Sequence, residues 1–164
     1  GHGLPDDNKN PYLIPVDVSS INLEQNGVSL KNLYAKLGSS QAQKITVILD
    51  ACFSGGGRDQ GLLAARGVKI RPREEPNNGN MVVFASSSGE EKSLPYDEKQ
   101  HGMFTYFLLK KLQESKGNVS YDEMSSYLKS EVARKSLISK SLQQTPHTNI
   151  SSTVGEEWKN WNFR

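Results

Sequence analysis

The sequence predicts an α/β domain with a mainly parallel sheet. Two short runs of β-branched and apolar residues, 44–50 and 81–85, are typical of strands buried on both faces of such a sheet. Helical patterns at 28–37, 102–116 and 121–136 alternate with these runs along the chain. This alternation of strand and helix is the pattern of domains in which helices cover a parallel sheet.

The remaining elements are marked by single residues. The apolar segment 12–17 contains Pro15, which cannot donate to a sheet, so we expect an edge strand or an extended loop there. In the first helix, Ser29 is suited to the N-cap and Gly38 to the end. Residues 149–154 are expected to form a final strand.

Composition excludes several function classes. The 164 residues carry 20 Lys plus Arg, 18 Asp plus Glu and one Cys, so the net charge is +2 and no internal disulfide can form. Nucleic acids and anionic membranes need a concentrated basic face, so we expect neither as a partner. No apolar run approaches the roughly 18 residues that span a bilayer. We expect a cytoplasmic domain, with an N-terminal leader left open.

The chain begins with Gly1-His2-Gly3 and no Met. The tripeptide is either the remnant of an affinity tag or a native segment that follows a strand. The strands predicted above make a thin sheet, since about five or six are usual. If the tripeptide is native, we expect an N-terminal segment or a second chain to supply the early strands and complete the fold.

The single Cys is the first candidate for chemistry. Cys52 follows a buried strand and lies among small residues, 50–56, that let a substrate backbone approach closely. The alternative is an inert buried thiol. A thiol nucleophile needs a partner for proton transfer. Of the three His, we interpret His101 and His147 as surface residues, and His2, between two glycines, is the candidate partner.

At this point the sequence resembles the catalytic half of caspase-like cysteine peptidases, especially metacaspases and their bacterial relatives. Three segments carry this likeness: Gly1–Gly3, Tyr12–Asp17 and Val47–Gly55. Three further segments resemble the small-subunit region: Phe84–Ser88, Gly102–Leu109 and Gln144–Pro146.

The resemblance covers residues 1–164 and implies a caspase-like three-layer sandwich with helices on both faces of the sheet. It divides the chain into a catalytic His and Cys region at 1–57, a basic linker loop at 58–80 and a small-subunit-like region at 81–164. It implies a cysteine endopeptidase that acts on proteins or peptides, and its metacaspase side favours a monomer.

The same likeness implies the site residues. Cys52 would attack the scissile carbonyl, His2 would handle the proton of the leaving amine, and the amides of Gly3 and Cys52 would form the oxyanion hole. Metacaspases have an acidic residue in the first pocket where true caspases have Gln, and here that position holds Asp50. A carboxylate attracts a guanidinium or an ammonium, so we expect cleavage after Arg or Lys. The alternative is that Asp50 is structural and caps a loop through backbone amides.

Substrate contacts are also implied by the resemblance. Ser93-Leu94-Pro95 stands where caspases have Ser-Trp-Arg, and the Arg that helps to hold a substrate Asp is absent. Ser86 and Ser93 are the implied substrate-binding residues. The backbone at 92–94 is expected to pair with the substrate as an added strand.

Two further expectations concern cleavage of the basic linker and the binding of a metal ion. If the enzyme cuts after Arg or Lys, it could cleave itself at Arg58, Arg66, Lys69, Arg71 or Arg73; the alternative is a solvated loop. We predict no cofactor. Calcium is left open, because Asp17 and Asp59 resemble two calcium-binding positions but the acidic pair expected in 21–38 is not evident. The alternative function is a catalytically silent caspase-like module that binds or regulates partners.

Overall fold

The computed structural model describes residues 1–17, 23–53 and 76–164. Most of the predicted linker loop, including its five basic residues and Asp59, lies outside these ranges. The division of the chain at 57 and 80 therefore stays a prediction.

A small antiparallel sheet opens the chain. Its strands are β1 (His2–Pro5), β2 (Pro11–Ile14) and β3 (Val28–Ser29), in the order β1-β2-β3. The expectation of an edge strand or loop at 12–17 was therefore wrong for its first residues, since β2 has a neighbour on each side. Pro15 follows the strand and costs the sheet no hydrogen bond.

One helix precedes β3 in sequence and another follows it. They are α1 (Leu23–Asn26) and α2 (Leu30–Gly38). The N-cap predicted at Ser29 is confirmed, because its hydroxyl accepts a hydrogen bond from the backbone N–H of Asn32 at 3.4 Å. The helix ends one residue later than expected, with Ser39 as C-cap. Gly38 is needed for close packing instead, since a Cβ there would lie 2.6 Å from the carbonyl oxygen of Asn78.

The main sheet of the described residues has three strands. They are β4 (Ile45–Leu49), β5 (Met81–Ala85) and β8 (His147–Ile150), in the order β4-β5-β8. The β4–β5 pair is parallel over five residues, whereas β5 and β8 are antiparallel. The prediction of a mainly parallel sheet is thus not confirmed: this sheet is mixed, and its final strand begins two residues before the predicted 149.

The two predicted buried strands differ in burial. Met81, Val82, Val83 and Phe84 of β5 are at most 2% exposed, as expected for a central strand. In β4, Ile48 is 44% exposed, so the expectation of burial on both faces was wrong for this strand. The physical reason is its position, because among the described residues β4 has a strand neighbour on one side only.

Helices pack on both faces of β5. Its side chains alternate between two apolar clusters, as the period of two of a strand requires. Val82 and Phe84 belong to the larger cluster, with side chains of α3 (Met103–Ser115), α4 (Tyr121–Lys140) and the C-terminal segment. Met81 and Val83 belong to the smaller cluster, with Leu30 and Tyr34 of α2.

The link between β5 and α3 forms a short hairpin, β6 (Pro95–Tyr96) and β7 (His101–Gly102), around a 3₁₀ helix at Asp97–Lys99. A second 3₁₀ helix, Gly155–Asn160, follows β8. Neither α3 nor α4, nor any other helix among the described residues, is long and apolar enough to cross a membrane.

Candidate active site

The N-terminal strand brings His2 beside the only cysteine. His2 and Cys52 form a parallel β-bridge, just beyond the carboxyl end of β4. The backbone nitrogen of Gly1 donates to the carbonyl oxygen of Asp50 at 2.6 Å and ties the same two segments together. Residues separated by 50 positions in sequence are therefore neighbours in the backbone pairing.

Gly3 lies close to Cys52 and Phe53. A Cβ on Gly3 would lie 2.5 Å from Cε1 of the Phe53 ring and 3.0 Å from the carbonyl oxygen of Cys52. Real Cβ atoms do not come so close to a ring carbon, so only glycine fits here without displacing Phe53. The residue type predicted for the oxyanion hole is thus required by packing as well.

Cys52 is buried, whereas His2 is only partly buried. Cys52 is 1% exposed. The Nδ1 atom of His2 is buried and has no hydrogen-bond partner among the described residues. Buried polar atoms of proteins are nearly always hydrogen-bonded, and an exception calls for an explanation such as a catalytic role. The His2 imidazole thus keeps one nitrogen that no described residue engages.

Asp50 binds the first turn of α3. Its Oδ2 atom accepts from the Thr105 hydroxyl at 2.5 Å and from the Thr105 backbone N–H at 3.4 Å. That N–H belongs to the start of the helix, where amides lack intrahelical acceptors, and the N-cap Gly102 has no side chain to supply one. This contact fits the alternative that Asp50 is structural. Its role in a substrate pocket stays a prediction.

The two predicted substrate-binding serines lie inside the protein. Ser86 is 0% exposed and Ser93 is 1% exposed, and their hydroxyls bond each other. The Ser86 hydroxyl also donates to the carbonyl oxygen of Ala51 at 3.3 Å. In this structure both side chains support the turn before Cys52, and direct contact with a substrate stays a prediction.

Backbone groups at 92–94 are partly used within the protein. The N–H of Leu94 donates to the side chain of Gln144 at 2.8 Å, and its carbonyl oxygen accepts from the N–H of Met103 at 2.9 Å. The N–H of Leu94 is therefore used within the protein, and pairing of 92–94 with a substrate stays a prediction. Lys92 is partly exposed.

Two residues of this region were missed by the sequence analysis as parts of the site. Thr105 lies in a helix, where a hydroxyl gives no pattern, and Gln144 was noted only within a likeness of sequence. A single buried polar side chain leaves the hydrophobic periodicity of the sequence unchanged, so periodicity does not reveal it. The available signal was Gln144 itself, a polar residue followed by Thr-Pro in a segment with no predicted helix or strand.

The other candidate residues are exposed. His101 in β7 and His147 in β8 are both exposed, which confirms their interpretation as surface residues. Asp17 is exposed as well. Within residues 1–17, 23–53 and 76–164, no three His, Cys, Asp or Glu side chains group in a way that could hold a metal ion. Asp59 lies outside these ranges, so calcium binding stays a question for experiment.

An α/β domain with a thiol beyond the carboxyl end of a sheet strand, and an imidazole on the segment beside it, has the parts of a thiol-dependent hydrolase. The family model of the caspase domain matches residues 1–156. The chain therefore belongs to the caspase-domain family. Membership makes it a caspase-like cysteine peptidase at the level of the family, with a caspase-like α/β fold and protein substrates. A search of the curated proteins finds no match.

Proposed function

We propose that the protein is a cysteine endopeptidase that cuts protein chains after Arg or Lys with Cys52 as nucleophile and His2 as its proton-transfer partner. The observation that carries the proposal is the β-bridge between His2 and Cys52, together with the buried and unpartnered Nδ1 of His2. A group that must move a proton needs a nitrogen that no structural hydrogen bond occupies.

The proposed reaction has two steps. His2 takes the proton of the Cys52 thiol, the thiolate attacks the scissile carbonyl carbon, and the amides of Gly3 and Cys52 donate to the oxygen that becomes negative. The C–N bond then breaks, His2 gives its proton to the leaving amine, and a thioester remains. Water hydrolyses the thioester, which releases the acid and returns the thiol and imidazole to their starting states.

The Arg or Lys preference rests on the position of Asp50, two residues before the nucleophile. A carboxylate in a partly buried site favours a cationic substrate side chain and opposes an acidic one. The proposed likeness to metacaspases depends on the same acidic residue.

Two parts of the proposal concern neighbouring segments of chain. Self-cleavage is proposed in the basic stretch that ends at Arg73. The chain that follows this stretch is anchored by hydrogen bonds of Asn77. Asn77 is 5% exposed and donates to the carbonyl oxygens of Met81 at 3.3 Å and Asn149 at 3.0 Å. An N-terminal segment is proposed to pair with the edge of β4 that has no strand neighbour among the described residues, beside the exposed Ile48.

The test uses the full-length protein and a panel of fluorogenic peptides with Arg, Lys or Asp at the cleaved position, with and without calcium. Cutting after Arg or Lys that is lost in Cys52→Ala and in His2→Ala is the expected result. Asp50→Asn should reduce cutting after Arg or Lys, whereas Asp122→Asn, an exposed charge on α4, should not. Cutting after Asp would refute the assigned specificity.

Self-cleavage is tested on the same proteins by intact mass. Fragments that end at one of the basic residues are expected after incubation of the wild type and not of Cys52→Ala. One unchanged mass in both would remove this part of the proposal.

One observation favours a second function. The thiol of a nucleophile must reach the substrate, and Cys52 is 1% exposed. A catalytically silent caspase-like module, which binds partners and cuts nothing, would keep its thiol buried in this way. Absence of Cys52-dependent cutting under every condition of the panel would support that function.

A further inference from the structure

Gln144 stands out as a buried polar side chain with every polar atom of its amide engaged across the fold. It is 0% exposed and lies in the connection between α4 and β8. Its Oε1 atom accepts from the N–H of Leu94 at 2.8 Å, and its Nε2 atom donates to the carbonyl oxygen of Ser86 at 2.9 Å. One amide thus binds both ends of the segment 86–94.

The position of Gln144 is itself fixed. Its backbone N–H donates to the hydroxyl of Ser136 at 3.1 Å, and Ser136 on α4 is 0% exposed. The next residue adds a second connection, because Glu91 accepts from the Thr145 backbone N–H at 2.6 Å and from the Thr145 hydroxyl at 3.0 Å. The segment 86–94 is therefore held at both ends and near its middle by one short stretch of chain.

The segment in turn contacts the turn that carries the nucleophile. The N–H of Ser86 donates to the carbonyl oxygen of Leu49, at the end of β4, at 2.9 Å. The Ser86 hydroxyl donates to the carbonyl oxygen of Ala51 at 3.3 Å. Ala51 precedes Cys52 directly. A shift of Ser86 would thus be transmitted to the backbone amide of Cys52 through one hydrogen bond.

Packing alone does not require an amide at this position. A buried amide loses its hydration and must recover that loss in hydrogen bonds, whereas an apolar side chain of similar volume fills the space without that cost. What only an amide supplies here is a donor towards Ser86 and an acceptor towards Leu94 at a set separation. The amide is therefore needed to fix the positions of Ser86 and Leu94 relative to each other.

We propose that Gln144 is a positioning residue of the peptidase site, which holds the segment 86–94 against the nucleophile turn through Ser86 and Leu94. The inference rests on the proposed function and adds a residue to it. Gln144 acts through Ser86 and Ala51, and it does not touch the reacting atoms.

The test compares Gln144→Met and Gln144→Glu with the matched variants Gln113→Met and Gln113→Glu in the full-length protein. Gln113 is an exposed glutamine on α3. We measure kcat and KM for an Arg or Lys peptide across the pH range in which each variant stays folded. Alkylation of Cys52, the only cysteine, counts the reactive fraction in each sample.

Gln144→Met removes both hydrogen bonds and should lower kcat/KM per reactive site by about tenfold. Gln144→Glu gives a pH-dependent result. When the new carboxyl is protonated, it can still donate to Ser86 and accept from Leu94. When it ionises, a negative oxygen faces the Ser86 carbonyl, and kcat/KM should fall to the level of Gln144→Met.

The surroundings predict where this fall occurs. Burial raises the pKa of a carboxyl at position 144, and the nearby Glu91 carboxylate, bound to Thr145, raises it further. Other titratable groups close by in the chain are Glu90 and Lys92 in the segment 86–94, Lys135 and Lys140 towards the end of α4, and the exposed His147 in β8. Activity should therefore be rescued at acid pH and lost as pH rises, in Gln144→Glu only.

Each outcome decides the inference. Equal kcat/KM for Gln144→Met and Gln113→Met, or a Gln144→Glu profile that superimposes on that of the wild type, overturns it. If Gln144→Met does not fold, the Gln144→Glu profile alone decides. A wild type without Cys52-dependent cutting refutes the proposed function and the inference with it, whereas an active wild type with unaffected Gln144 variants refutes only the inference.

Discussion

Replacing Gly3 by Ala should separate the two segments of the candidate active site. The added Cβ would lie 2.5 Å from Cε1 of Phe53 and 3.0 Å from the carbonyl oxygen of Cys52. Carbon atoms in optimal contact are about 3.5–4.0 Å apart, so the ring must move by about 1 Å or more, or β1 must move away from Cys52. We expect lower stability and lower activity together.

The size of the expected loss of stability depends on which neighbouring atoms can move. Overpacking by one methyl group in a well-packed region costs about 1–3 kcal/mol. Phe53 is only partly buried and packs at the margin of the smaller apolar cluster, so its ring can rotate away at the lower end of that range. The Cys52 carbonyl is backbone and cannot move alone. We therefore expect a loss of about 2 kcal/mol in the free energy of unfolding.

The assay is chemical denaturation of Gly3→Ala, Phe53→Ala and the double variant, with peptidase activity measured in parallel. Removal of the ring leaves only the contact with the Cys52 oxygen, so the double variant should lose less than the sum of the two single losses. Gly1→Ala is the matched control, because its Cβ would meet only the Asp50 carbonyl oxygen at 3.9 Å, an ordinary contact. Strictly additive losses, or a Gly3→Ala protein as stable and active as Gly1→Ala, would refute the packing argument.

Three further variants test helix α4. Ser120→Ala should lower the free energy of unfolding in denaturation by about 1 kcal/mol, because the Ser120 hydroxyl accepts from the N–H of Glu123 at 3.2 Å; an unchanged value would contradict the N-cap role. The hydrogen bond from the Ser120 backbone N–H lowers the pKa of Glu123, so its contribution is present above the ordinary carboxyl pKa and is lost as pH falls through the lowered one. Glu123→Gln should flatten this acid limb of the stability profile, and an unaltered limb would argue against it. Burial raises the pKa of Tyr127, whose hydroxyl is buried without a hydrogen-bond partner among the described residues. Thermal unfolding of Tyr127→Phe should therefore show equal or higher stability and a smaller loss at alkaline pH than the wild type, and a clear destabilisation would contradict this.

Local patterns predicted the parts of the fold that depend on neighbours in sequence. The apolar run 81–85 matches β5 to the residue, and Ser29 caps α2 as its side chain suggests. The patterns 102–116 and 121–136 lie within a few residues of α3 and α4. Each of these features is decided by side chains within one or two turns of the chain, which is the range over which periodicity and capping act.

Pairing partners could not be predicted in the same way. The apolar pattern of β4 is that of a fully buried strand, yet its burial depends on whether a strand lies on its second side. Likewise, nothing in 147–150 indicates that β8 runs antiparallel to β5. Strand direction and neighbour order are set by the path of the intervening chain, which leaves no mark on the residues of the strand itself.

In the candidate site, too, residues marked by their sequence neighbours could be predicted, and residues that act across the fold could not. Cys52 could be found because the small residues around it change the character of the chain at the end of a strand. The side chains that hold its turn are distant in sequence and have no such context: Thr105 reaches Asp50 across 55 positions, and Gln144 reaches Ser86 across 58. A single polar residue at those distances is compatible with many partners, and only the fold selects one. Sequence motifs thus identify the atoms that would react, whereas the residues that set their geometry become visible when buried polar atoms are matched with their hydrogen-bond partners.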